Sequence, residues 1–99
     1  MTSAHAVADL VRQVRDGLAR VHWTTNDLWI AAFAAGSQLT VLGLRQILSA
    51  EVAPSQFEYN LLAYALNEEL DRVGSARVAK WITPEPDRQK HYLLNEPDD

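Results

Sequence analysis

The residues able to do chemistry are few and badly placed for bond-making. Glu68 and Glu69 are neighbours in a segment of helical periodicity, so their side chains point about 100° apart and form no acid–base pair. His5, His22 and His91 lack both the close spacing and the thiolate neighbours of a zinc site. The chain has no cysteine, no glycine-rich phosphate loop and no serine-nucleophile motif. No catalytic residue, metal or cofactor is therefore expected. What remains is the chemistry of contact. In GSARVAKWITPEPDRQKHYLL, residues 74–94, the cations Arg77, Lys80, Arg88 and Lys90 are interleaved with apolar positions, a pattern suited to phosphate groups.

The charge distribution singles out the same stretch. The 99 residues carry a net charge of −4, which argues against a simple polycation. Residues 1–71 hold four basic groups against eight acidic ones, residues 72–91 hold five against two, and Glu96, Asp98 and Asp99 close the chain. With 47% hydrophobic and 22% charged residues, the composition is that of one globular domain. The start of the sequence lacks a basic segment followed by an apolar run, and Leu28–Leu48 is interrupted by glycine and polar residues. Neither export nor membrane insertion is expected, and the absence of cysteine suits a reducing, cytoplasmic setting.

Four helices must position these groups. Val7, Val11, Val14, Leu18 and Val21 recur at 4, 3, 4, 3 spacing and predict an amphipathic helix from about Ala4 to His22, whose seam is expected to be buried, partly against a second copy. Thr24, Thr25 and Asn26 offer N-cap oxygens for a short apolar helix that Gly36 stops, and Thr40 caps a third helix from Val41 to about Ala50. Ser55 and Glu58 are spaced as a capping box for a long helix that ends at Gly74, with Tyr59, Leu62, Leu66, Leu70 and Val73 as its buried stripe. Beyond it, alternation over 76–82 and apolar residues at 90–94 predict a hairpin with a proline-rich tip.

This order resembles the winged helix-turn-helix domain of bacterial transcription regulators of the MarR and ArsR kind. Ala35-Gly-Ser-Gln-Leu-Thr-Val followed by Leu44–Leu48 looks like the end of that family's first helix, its short strand and its second helix. Ala65-Leu66, Leu70, Arg72, Gly74 and Ala76-Arg77-Val78 look like the recognition helix entering the wing, and Pro86-Asp87-Arg88 with Tyr92-Leu93-Leu94 look like the wing tip and its return. The expected fold is thus mainly α with a small β-hairpin: residues 1–24 form an added docking or dimerisation helix, 25–94 a winged-helix domain, and 95–99 an acidic tail.

The resemblance implies a small dimeric regulator that binds double-stranded DNA. Gln56, Asn60, Tyr64 and Arg72 on the long helix would face the major groove, while Arg77, Lys80, Arg88 and Lys90 of the wing would meet phosphates. The sequence departs from the family on that helix, because the face opposite the buried stripe holds Phe57, Asn60, Leu61, Tyr64, Glu68 and Arg72, with no lysine. Phe57, Leu61 and Tyr64 suit a protein partner at least as well, so the alternative is an interaction module that binds protein and not DNA. A second likeness, of Asn26-Asp-Leu-Trp-Ile-Ala-Ala to a segment of PIN-domain ribonucleases, covers about twenty residues. That chemistry needs several carboxylates converging on a divalent metal, the chain has neither an opening strand bearing an aspartate nor room for the parallel sheet, and Asp27 reads as a helix first-turn residue.

Overall fold

The computed structural model describes residues 4–81, in which four helices follow one another: α1 (Ala4–Val21), α2 (Thr25–Ala34), α3 (Val41–Leu48) and α4 (Gln56–Arg72). The starts of α2, α3 and α4 have the chemistry their sequences offer. The Thr24 hydroxyl accepts from the Asp27 amide while the Asp27 carboxylate accepts from the Thr24 amide, which closes a capping box on α2. Thr40 accepts from the Gly43 amide at the start of α3, and Ser55 accepts from the Glu58 amide at the start of α4. The stops follow suit. Gly36 and Gly74 take positive φ just beyond α2 and α4, where a side chain would be strained.

Glu58 departs from the capping box expected of it. Its carboxylate reaches across to the link between α2 and α3, accepting from the Ser37 hydroxyl at 2.7 Å and the Gln38 amide at 3.2 Å. Ser37 is a buried polar residue, and its oxygen also accepts from the Leu39 amide. One acid therefore ties the start of α4 to the end of α2, which satisfies groups that would otherwise be costly to bury.

α4 is the spine. α1 and α2 both pack on it, and α3 packs on α1 and α2. Tyr59, Leu62, Ala63, Ala65, Leu66 and Leu70 of α4 are buried with Val14 and Leu18 of α1, Leu28 and Ala32 of α2, and Leu44 of α3. α1 approaches α4 closely at Gly17, where an added Cβ would lie 2.8 Å from Leu66 Cδ2. The α1 seam is covered within this one chain: Val11, Val14 and Leu18 are buried, and Val7 and Val21 are half-buried. α1 is accordingly part of the same core as the helices that follow it.

Two expectations are corrected. Among the described residues the fold is all-helical and has no strand, so they do not build the winged helix-turn-helix with its β-hairpin. Residues 75–81 run without helix or strand, and their backbone is bonded to side chains of α1 and α4 in place of a neighbouring strand. The period-two alternation misplaces the faces as well: Val78 and Trp81, three residues apart, both pack on the core, while Lys80, which a period of two puts on the side of Val78, is exposed. The return segment at 90–94, with Arg88 and Lys90, lies outside the described residues, as does the acidic tail. Val73, placed in the buried stripe of α4, is exposed because the helix ends at Arg72 and the chain turns away there.

Candidate interaction site: the open face of α4

Seventeen residues of α4 present two faces, and neighbouring helices cover only one of them. Phe57, Leu61, Tyr64, Glu68 and Asp71 recur at 4, 3, 4, 3 spacing on the other, a ridge about 21 Å long. Phe57 is 66% exposed and Tyr64 56% exposed. This ridge lines a cleft of about 490 Å³ whose far wall carries Arg77 and Lys80. The cleft is apolar toward the start of α4 and charged toward its end.

The wall opposite α4 is the segment 75–81, which we call the strap, and it is fixed by a set of side-chain clamps. Asn67 uses both ends of its amide on one residue: the Val78 amide donates to Asn67 Oδ1 at 2.8 Å, and Asn67 Nδ2 donates to the Val78 carbonyl at 3.1 Å. Asn60 repeats the arrangement on Trp81, at 2.8 and 3.1 Å, with Gln56 Nε2 donating to the same Trp81 carbonyl at 3.0 Å. Between them, the Ala79 amide donates to Gln13 Oε1 of α1 at 2.9 Å, and the buried Tyr59 hydroxyl donates to the Ala79 carbonyl at 2.7 Å. Arg20 donates to the Ala76 carbonyl and the Ser75 hydroxyl. Val78 is buried in the core, and the Trp81 ring meets Tyr59 edge-on, with centroids 6.3 Å apart.

Electrostatics along the cleft are mostly settled within the chain. Arg77 pairs with Asp71 through two contacts at 2.7 and 2.9 Å, which holds the Asp71 carboxyl below its usual range. Arg72 pairs with Glu69 one turn earlier and lowers that carboxyl in the same way. The neighbouring Glu68 carboxylate, by hydrogen bonding first and charge second, raises the Tyr64 phenol above its ordinary value. Burial pushes the Tyr59 phenol up to about 12. Lys80 makes no ion pair among the described residues.

The residues singled out for DNA are only partly brought together. Asn60, Tyr64, Arg77 and Lys80 share the cleft, but Asn60 spends its amide on the Trp81 backbone, and Gln56 reaches the same carbonyl. Arg72 is turned to Glu69 and is not among the residues that line the cleft, while Arg88 and Lys90 lie outside the described residues. Phe57 and Leu61, singled out for a partner, do line the cleft. Asn67, Gln13 and Tyr59 were missed as functional positions. Their signal was present, since Asn60 and Asn67 stand seven residues apart on one helical face, but two asparagines without a visible ligand say nothing about what they hold.

No group of three or more histidine, aspartate and glutamate side chains able to hold a metal occurs among the described residues, and no helix there is long and apolar enough to cross a membrane. Comparison with family models, curated proteins and solved structures finds no match to this chain.

Proposed function

We propose that this chain is a small helical interaction module that docks another protein along the open face of α4. The observation that carries the reading is the cleft itself. Two large aromatic side chains, Phe57 and Tyr64, stand more than half exposed on either side of Leu61, on a helix whose opposite face is fully buried. Exposed aromatic side chains grouped around a concavity are the usual anchors of protein interfaces, where a few of them carry most of the affinity.

The same geometry gives the DNA reading less support. A base-reading asparagine needs both ends of its amide free for an adenine edge, and Asn60 has committed both to a peptide group. Arg72 and Arg77 are neutralised by Glu69 and Asp71, and Glu68 adds a negative charge to the face that would enter the groove. Phosphate contact relies on cations free to release counterions.

The test compares the two classes directly. The tagged full chain, with a photo-crosslinking residue at position 61, is expected to capture a protein partner. Purified, that partner should bind the parent, bind Tyr64→Ala and Phe57→Ala at least tenfold more weakly, and leave random duplex DNA unbound by the parent. Tight duplex binding that weakens with salt and ignores Tyr64→Ala overturns the reading.

A further inference from the structure

The strap and its clamps carry an inference separate from the open face. We infer that the groove between α1 and α4 is a receptor for extended peptide backbone, and that it accepts the strap of a second copy as well as its own. The clamps bond main-chain groups: Asn67 takes both groups of Val78, Asn60 takes both groups of Trp81, and Gln13 and Tyr59 share those of Ala79. The spacing fits an extended occupant. Seven residues of α4 separate the two asparagines by about 10 Å, and three residues of extended chain, from Val78 to Trp81, span about 10 Å.

Side-chain demands on the occupant are only two: a branched apolar residue that enters the core where Val78 sits, and an aromatic ring three residues later against Tyr59. Both are met by the strap of any copy of this chain. The link to α4 is held by two backbone bonds, the Gly74 amide on the Asp71 carbonyl at 3.1 Å and the Ser75 amide on the Leu70 carbonyl at 2.8 Å; its Gly74, at positive φ, adopts other directions without a side-chain clash, so the chain can leave α4 there once those two bonds open. A tethered strap competes at an effective concentration of about millimolar. Exchange between copies therefore shows when the tethered strap is damaged or the protein is concentrated.

Two full-length variants test this by complementation. Val78→Asp damages the strap and leaves the groove intact, whereas Asn60→Ala with Asn67→Ala damages the groove and leaves the strap intact. Each alone is expected to sediment as a monomer, and an equimolar mixture is expected to form a heterodimer with one restored site, seen by sedimentation velocity and by native mass spectrometry. A mixture that stays monomeric at high concentration, with both components retaining the parent's helical circular dichroism, overturns the inference. Where Val78→Asp fails to fold, Ala79→Pro replaces it, since proline removes the amide that donates to Gln13 at an exposed position outside the core. Tyr64→Ala in both chains should leave the heterodimer intact. Its loss there would place the association on the open face of α4, overturning this inference while favouring the functional reading above.

Discussion

The two faces of α4 make an instructive pair. One holds Tyr59, Leu62, Leu66 and Leu70, the other Phe57, Leu61 and Tyr64, and by side-chain type alone the two are hard to rank. Leu66 is fully buried while Phe57 is two-thirds exposed, because α1 and α2 cover one face, whereas no helix covers the other and the strap only borders it, leaving Leu61 half-buried. Hydrophobicity on a helix thus marks a surface to be covered; the rest of the chain decides whether that happens within the molecule or on binding.

Breaking the contrast at its strongest point means removing Leu66. Leu66→Ala should cost about 2–5 kcal/mol in urea unfolding, because it leaves a cavity where α1 crosses α4. Leu61→Ala, the same deletion on the open face, should cost well under about 1 kcal/mol. Equal losses would mean that the open face is covered in solution.

Asn67→Ala should come next, at about 2 kcal/mol, since it strands both the amide and the carbonyl of Val78 beside the core. Protection of the Val78 amide in hydrogen exchange should fall with it, and a variant that melts like the parent would show that water replaces the clamp.

Gly17→Ala sharpens the comparison from the α1 side. The new methyl meets Leu66 Cδ2 at 2.8 Å, an overpacking penalty of about 1–3 kcal/mol. Relief from glycine in a helix returns about 1 kcal/mol. Thermal melting should show a net loss, and a gain would mean that the α1–α4 crossing has slack.

The smallest expected effects are those of pH. The Tyr59 phenol is held at about 12 against an ordinary 10.0, so the unfolded chain loses that proton first. Stability contributed by the buried phenol is complete below pH 10 and is lost as the pH rises from 10 toward 12, and Tyr59→Phe should abolish that decline. At the acid end, Glu69 and Asp71 are lowered by their arginines, so their contribution is present above the ordinary carboxylate range and fades as the pH falls through the depressed values. Asp71 and both arginines are exposed and Glu69 is half-buried, and denaturant titrations between pH 5 and pH 2 should show only a shallow slope from the two pairs.

The helices were readable because their ends announce themselves. Thr24, Thr40 and Ser55 as caps and Gly36 and Gly74 as stops are local chemistry, visible in a window of a few residues. The corners at His22 and Ala50, both at positive φ, gave little sign, since histidine enters that region more often than most residues but still uncommonly, and alanine does not favour it. The strap was not readable: its inward residues, Val78 and Trp81, stand three apart and break the period of two, and its partners, the side chains of Gln13, Asn60 and Asn67, are scattered along the sequence from α1 to α4. Asn60 shows why its role was misplaced. A side-chain amide offers a donor end and an acceptor end side by side, and an adenine edge and a peptide group present the same complement.

The clamped strap has a consequence for how this architecture can change over generations. In a sheet, order belongs to the main chain, and most substitutions leave the ladder standing. Here the course of residues 75–81 is written in a few distant side chains, Asn60 and Asn67 foremost, each encoded by a single codon. One nucleotide change in either can turn an amide into a carboxylate or an aliphatic group and erase backbone contacts that, proline aside, substitutions within the strap leave in place. The path of this segment is therefore an inherited trait of the helix beneath it, open to gain and loss in single steps.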